Sequence, residues 1–377
     1  MPELTLSYML PLVTSVGQAA ILSATSIAYL KACDRVSQWC WDNRNLKQRE
    51  VQQATYHRLR KELGMPSQMA ISATRRVIGN YRTIRENQGS PWNIRQSPSY
   101  KSAGYDLVWN RDYSINDRTG VISVNTLEGR VKLMADWSRI PRTMLHGRYG
   151  TARILTCNGR WMISIPLTIT LPEGPLPVNI MGVDLGMRFL AVSYDSHGHV
   201  TFHSGKEVTQ KRAQYQALRT SLQKKGTRSA RKRLRTIGHR ENRWMRDINH
   251  QVSKALIAAC VQPTLIVLED LKGIRKATQR VRKSRRYVQV SWAFYQLRQM
   301  IEYKARQAGH TVLVIDPAYT SQTCPICGQT RKTNRRKDKH LYHCANCGYM
   351  SNDDRVAAMN IQRLGWMSLL ESGVNMP

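Results

Sequence analysis

An α+β chain of several domains is the fold class this sequence predicts. It reads as a β-rich barrel or sandwich interrupted by a helical insertion, then an α/β domain that carries a cysteine ribbon. Three observations lead there. Residues 13–95 follow helical spacing, and residues 96–178 follow the two-residue alternation of short strands. Past the linker at 171–177, LPEGPLP, apolar strands alternate with helical runs. Near the C-terminus two CxxC pairs, Cys324/Cys327 and Cys344/Cys347, stand sixteen residues apart and suit one tetrahedral Zn²⁺ ion.

Taken in order, ELTLSYML (3–10) is a strand that Pro11 is expected to end. Thr14 to Asn43 is helical, with Val16, Ala20, Ile27, Leu30 and Cys33 at helix-compatible intervals. Helices follow over 47–62 and 68–86, and QGSPWNIR (88–95) is a linker. YDLVWN, GVISVN, RVKLMADW, TARILTCNG and RWMISIPLTI then alternate as strands, with Asn158-Gly159 as a hairpin turn. If the first strand joins this group, the helices are an insertion into the β part.

From Asn179, NIMGVDLG is an apolar strand and FLAVSYD with HVTFHS makes a meander. Residues 207–261 are helical and strongly basic, with breaks expected near Gly226 and Gly238. TLIVLED is another apolar strand, residues 275–286 a basic loop, 291–308 a helix, and TVLVID a strand. The cysteine ribbon and a helix starting near Asp354 close the chain.

Charge narrows the partner. There are 58 Lys and Arg against 25 Asp and Glu, a formal net charge of +33. So large an excess repels itself unless a polyanion neutralises it, which points to nucleic acid rather than a merely solvated basic surface. Arg231, Arg235, Arg240, Arg243, Arg282 and Arg285 are candidate contacts within the basic runs. The four remaining cysteines, Cys33, Cys40, Cys157 and Cys260, are scattered, which favours metal thiolates in a reducing compartment over a disulfide framework. No basic segment precedes the first apolar stretch, so no secretory signal is expected. Residues 4–30 carry no charge, but Pro11, Gly17, Gln18 and many hydroxyls fit a strand and a half-buried helix rather than a membrane span. A cytoplasmic protein without membrane contact follows.

In so basic a chain, acids at the ends of apolar strands stand out: Asp184 after NIMGV, Glu269 after TLIVL, Asp316 after TVLVI. Strand C-termini in α/β sheets converge on the functional crevice. Carboxylates gathered there repel one another unless a cation is bound, and Mg²⁺ is the natural one. Two Mg²⁺ ions about 4 Å apart would activate water and stabilise the leaving oxygen of a phosphodiester, the chemistry of a nuclease. Asp316, Asp353 and Asp354 all remain candidates for the third ligand on this argument, although the Pro317 that follows Asp316 gives it a turn context suited to capping.

The motifs GVDLG (182–186), IVLEDL (266–271), YTSQTCPICG (319–328) and CANCG with DRVAAMNI further on resemble the TnpB family of transposon-encoded RNA-guided nucleases, relatives of the miniature type V CRISPR effectors. The likeness spans residues 179–364. It implies a split RuvC-like domain of ribonuclease H fold, with Asp184, Glu269 and Asp354 as catalytic Mg²⁺ ligands and Asp316 as structural. Asp354 is selected because Asp354-Arg355-Val356-Ala357-Ala358 matches a family pattern Asp-x-Asn-Ala-Ala, with Val356 standing where Asn is usual.

The resemblance also implies a β-barrel-like wedge domain (1–12 and 96–178), a helical recognition domain (13–95), the RuvC-like domain (179–316 and 351–377) and a zinc ribbon between its parts (317–350). On their spacing Cys324, Cys327, Cys344 and Cys347 hold one structural zinc; His340 and His343 lie within the loop and could replace a cysteine, but four thiolates already fill the site. Guide RNA and target double-stranded DNA are the implied partners, the DNA read beside a short motif, and a monomer is favoured. The implied function is RNA-guided DNA cleavage; a guide-dependent repressor without cleavage, a guide-independent resolvase-like nuclease and a transposase that joins DNA ends are the alternatives.

Overall fold

Strand β1 (Glu3–Val13) runs through Pro11 rather than ending there. It pairs with β8 from Glu3 to Pro11 and passes to β5 at Leu12 and Val13. The proline sits at the change of partner, where a missing N–H costs least. The computed structural model describes residues 3–116, 118–138, 140–271 and 294–371. Its contacts divide into two compact units, one up to Thr170 and one from Leu171 onward.

In the first unit β1 leads into α1 (Val16–Asn43), α2 (Gln48–Leu63) and α3 (Ser67–Gln88). Helix α1 starts from a capping box between Ser15 and Gln18. Next come β2 (Gly104–Leu107), β3 (Tyr113–Ile115), β4 (Ile122–Thr126), β5 (Gly129–Ala135), the short α4 (Arg142–Leu145), β6 (Arg148–Tyr149), β7 (Ala152–Cys157) and β8 (Arg160–Thr170). The eight strands form antiparallel ladders in the order β2-β7-β8-β1-β5-β4-β3, with β6 beside β8. The change of partner at β1 joins two ladders into a barrel-like sheet, and the helices are an insertion between β1 and β2. One core serves helices and strands together, with Tyr29 of α1 against Tyr105 of β2. Cys33 and Cys40 are buried in it.

In the second unit β9 (Asn179–Asp184), β10 (Phe189–Asp195) and β11 (Val200–Ser204) form an antiparallel meander. Strands β12 (Thr264–Glu269) and β13 (Thr311–Ile315) add to β9 in parallel, giving the order β11-β10-β9-β12-β13. That mixture of meander and parallel crossovers is the ribonuclease H arrangement. Helices α5 (Lys206–Lys225) and α6 (Arg228–Ala258) connect β11 to β12. The break expected at Gly226 is present, with that residue left-handed at φ 63°. The one expected at Gly238 is absent: α6 continues through it, because one glycine costs a helix only about 1 kcal/mol. A Cβ at Gly238 would stand 3.5 Å from the Arg219 guanidinium, an ordinary contact, so nothing there requires a helix break. Arg219 in turn reaches Glu241 at 2.7 Å, tying α5 to α6.

Helices α7 (Phe294–Gln307) and α8 (Asp353–Glu371) complete this unit. The basic loop 275–286, with Arg282 and Arg285, lies outside the described residues. Sheet alternation divides the core into two layers. Met181, Val183, Ile266 and Leu268 face α6 and α7, while Ile180, Leu265 and Val267 face α8. No described helix is long and apolar enough to cross a membrane.

Candidate active site

The two-residue period of the sheet decides where the acids point. Asp184 shares the face of Ile180 and Gly182, and Glu269 shares that of Leu265 and Val267, so both side chains emerge on the α8 side. On α8, Asp354, Ala358, Ile361 and Gly365 follow helical spacing onto one face. That face sits very close to the sheet. A Cβ on Gly182 would stand 2.2 Å from the Ala358 carbonyl oxygen and 2.4 Å from the Gln362 nitrogen. Small residues thus let helix backbone meet strand backbone, and the first turn of α8 arrives beside the ends of β9 and β12.

The outcome is one cavity of about 910 Å³ whose lining includes Asp184, Glu269 and Asp354 together with Arg188, Lys206 and Arg335. Glu269 and Asp354 are buried. Asp184 keeps some surface toward the cavity, yet loss of water pushes its carboxyl well above the usual range, and the charges of Glu269 and Asp354 push it further. Desolvation likewise raises Glu269, against a lowering hydrogen bond from Thr320. Desolvation and then Asp353 raise Asp354. Three acids gathered out of water, each resisting ionisation, are a group that a divalent cation would relieve. Oxygen-only donors suit a hard ion of the Mg²⁺ kind.

The neighbouring acids have other partners. Asp316 accepts from the Ala318 backbone N–H at 2.9 Å, in the capping role its turn context suggests. Asp353 is buried and bound by Arg335 Nε at 2.7 Å. Asn352 caps α8, accepting from the N–H groups of Asp354 and Arg355, and the helix N-terminus favours the two acids of its first turn.

Sequence reasoning missed three supporting residues, Thr320, Asn360 and Arg335, and it considered His340 only as a possible zinc ligand. Thr320 donates to Glu269 at 2.6 Å. Asn360, two turns into α8, donates to the carbonyls of Thr320 and Thr323 at 2.7 and 2.8 Å. Arg335 and His340, from the basic insert of the ribbon, turn back onto Asp353 and Asp354. Thr320 and Asn360 lie within the recognised motifs and Arg335 between them, but their uncharged or basic side chains give no metal-ligand signal by spacing.

The cysteine cluster is built from two matching turns. Gly328 and Gly348 both take positive φ, 74° and 72°, and their N–H groups close onto the carbonyls of Cys324 and Cys344. All four Sγ atoms lie within 4.8 Å of one another, with Cys324–Cys347 and Cys327–Cys344 each at 3.6 Å. Thiolates about 2.3 Å from a tetrahedral zinc stand roughly 3.8 Å apart, so the set fits. The Gln329 backbone N–H leads in lowering the Cys327 thiol to about 6, which favours a thiolate ligand. Neither His340 nor His343 belongs to the set. Strands β14 (Arg335–Arg336), β15 (Leu341–His343) and β16 (Met350–Asn352) carry the cluster, and Val356 of α8 is buried against Cys324, Tyr342 and Cys344. Of the basic candidates, Arg231, Arg235, Arg240 and Arg243 are exposed along α6, away from the acids in sequence.

Fold and site together define a ribonuclease H-fold protein with a three-carboxylate centre and a four-cysteine ribbon. Residues 294–361 match the family described as Cas12f1-like, TNB domain, and residues 164–289 match one described as "Probable transposase". The chain is 31% identical over 192 residues to a TnpB-like protein of Methanocaldococcus jannaschii, covering 48% of this chain and 68% of that one. It is 30% identical over 222 residues to the CRISPR-associated endodeoxyribonuclease Cas12f1 of Syntrophomonas palmitatica, 55% of this chain and 43% of that one. The match to Cas12f1 of Sulfoacidibacillus thermotolerans covers 50% of the relative, so the chain spans about half the length of these two relatives. In fold it is similar to Cas12f1 in a cryo-EM complex with sgRNA and target DNA, with a TM-score of 0.65 at 15% identity over 90% of this chain and 82% of that one. The chain belongs to the TnpB family.

Proposed function

We propose that this protein is an RNA-guided DNA endonuclease whose single active site is formed by Asp184, Glu269 and Asp354. The observation that carries the reading is the convergence of these three acids, from β9, β12 and α8, in one cavity rimmed by Arg188 and Lys206. Two divalent ions held by the three carboxylates would supply Lewis-acid activation of a water and neutralise the leaving oxygen of a phosphodiester. The chain's own residues do the rest. Thr320 orients Glu269, and Arg335 holds Asp353 so that Asp354 faces the cavity. Arg188 and Lys206 are placed to meet the phosphates of an entering strand.

The net charge of +33 supports RNA and DNA as partners, as do the printed functions of the endodeoxyribonuclease relatives. In this reading the barrel-like sheet and the three N-terminal helices hold guide RNA and read a motif beside the target. Exposed Arg231, Arg235, Arg240 and Arg243 on α6 meet the backbone of the guide–target heteroduplex. The cysteine cluster holds one structural zinc, and the protein acts in a prokaryotic cytoplasm.

The test is to purify the full chain, sequence the RNA that accompanies it, and supply matching DNA with Mg²⁺. A defined RNA and cleavage that Asp184→Ala abolishes are expected. A preparation with no defined RNA sinks the guide, and undiminished cutting by the variant sinks the site.

A further inference from the structure

The acid pair at the start of α8 has a second geometry that the three-carboxylate centre does not use. Each carboxylate divides its oxygens between two basic partners from the ribbon. Arg335 takes Asp353 Oδ2 at 2.7 Å and Asp354 Oδ1 at 3.6 Å. The other two oxygens, Asp353 Oδ1 and Asp354 Oδ2, face His340 Nδ1 at 3.3 and 3.8 Å. Asp353 is fully buried, yet its Oδ1 accepts no hydrogen bond, and the buried His340 Nδ1 makes none either. A buried carboxylate oxygen left in that state is costly and calls for a partner.

These three atoms are already spaced as the ligands of a single ion would be. All lie within 4.8 Å of one another. Donors about 2.1 Å from a cation are separated by roughly 3.0 Å at right angles and 3.4 Å at tetrahedral angles, close to the spacings seen. Two carboxylates less one guanidinium leave a net negative charge for the cation to neutralise. One imidazole nitrogen with two carboxylate oxygens is a donor set that first-row divalent ions from Mn²⁺ to Zn²⁺ accept, whereas Mg²⁺ and Ca²⁺ prefer oxygen alone.

We propose that His340, Asp353 and Asp354 form a further cation site for a first-row divalent ion that accepts an imidazole nitrogen. The site is separate from the four-cysteine cluster; it shares Asp354 with the carboxylate centre, and His340 lines the same cavity. It joins ribbon to α8, so the ion draws His340 of the ribbon onto the helix end that presents Asp354. Its existence does not depend on what reaction the neighbouring centre performs.

Mn²⁺ is the probe. Untagged full-length protein, freed of nucleic acid at high salt and holding one zinc in its cysteine cluster, is titrated with Mn²⁺ and read by electron spin-echo modulation. The wild type is expected to show ¹⁴N modulation from one directly bound imidazole. That signal should vanish in His340→Gln and fall at least tenfold at matched Mn²⁺ in Asp353→Asn, with melting temperature and zinc content confirming that both variants fold. Asp184→Ala should keep the nitrogen signal while losing any cleavage, so the two centres are tested apart. Absence of ¹⁴N modulation in the wild type, or modulation undiminished in His340→Gln, overturns the site and leaves an imidazolium–carboxylate ion pair only. If His340→Gln fails to fold, Asp353→Asn decides alone, and an unchanged nitrogen signal there also overturns it.

Discussion

Replacing Gly182 by alanine tests the geometry that brings the third acid to the other two. The added Cβ would stand 2.2 Å from the Ala358 carbonyl oxygen, where ordinary contact begins near 3.4 Å, so α8 must retreat by about 1.2 Å. The obstacle is backbone on both sides, with no side chain to rotate aside. Overpacking of this kind costs about 1–3 kcal/mol or more. The same retreat carries Asp354 away from Asp184, and a displacement near 1 Å in a catalytic group costs about 10²-fold in rate. Urea unfolding should therefore show a lower midpoint, and cleavage with saturating guide should fall by about two orders of magnitude. Gly79→Ala is the control: it lies inside α3 with nothing within 4 Å, so the stronger helix former should add about 0.5–1 kcal/mol. A Gly182→Ala protein as stable and as active as the parent would refute the argument that close helix–strand packing sets the site.

Three further outcomes follow from the same residues. The carboxyls of Asp184, Glu269 and Asp354 are raised in the native state, so the stability they contribute is fully present below the unfolded carboxyl range near 4 and is lost as pH rises through the raised native values. A divalent ion restores it, so the rise in melting temperature on adding Mg²⁺ should be larger at pH 8 than at pH 5.5, and equal gains at both would contradict the reading. Asp184→Asn removes one of the crowded acids and should raise the melting temperature of the cation-free protein more at pH 8 than at pH 5.5 while abolishing cleavage, a trade measurable by calorimetry and a plasmid assay. Cys344→Ser should drop bound zinc from one per chain to none and expose the 320–352 region to protease. Retained zinc would remove the cluster assignment.

The fold was legible where pattern and period are strong. Asp184 and Glu269 announce themselves as acids ending apolar strands, and the sheet's alternation then puts both on one face. Asp354 was not separable from Asp316 and Asp353 by that logic, because the choice rests on where α8 lands. That landing is set by Gly182, Ala358 and Gly365, residues whose message is the side chain they lack. Pro11 and Gly238 misled for a related reason. Each is a local breaker whose cost is small in place: Pro11 sits at a change of strand partner, and a single glycine such as Gly238 costs a long helix only about 1 kcal/mol. Thr320 and Asn360 act through hydrogen bonds over 51 and 40 residues of sequence, a relation no local pattern records.

The ribbon's position in the chain has a physical explanation. Cys324 and Cys344 of its cluster share a small core with Val356, its β14 strand sends Arg335 to Asp353, and its last strand ends in the Asn352 that caps α8. The helix end bearing Asp354 is therefore held from outside by the ribbon and from beneath by the sheet. Val356 belongs to the first of these supports. An asparagine there would bury an amide among Cys324, Tyr342 and Cys344, where the valine side chain needs no polar partner. Val356→Asn should accordingly weaken the ribbon's grip on α8, costing about 1–3 kcal/mol by the unmet amide. Urea unfolding measures that loss, and an unchanged midpoint would show that the amide finds partners among the cysteine turns.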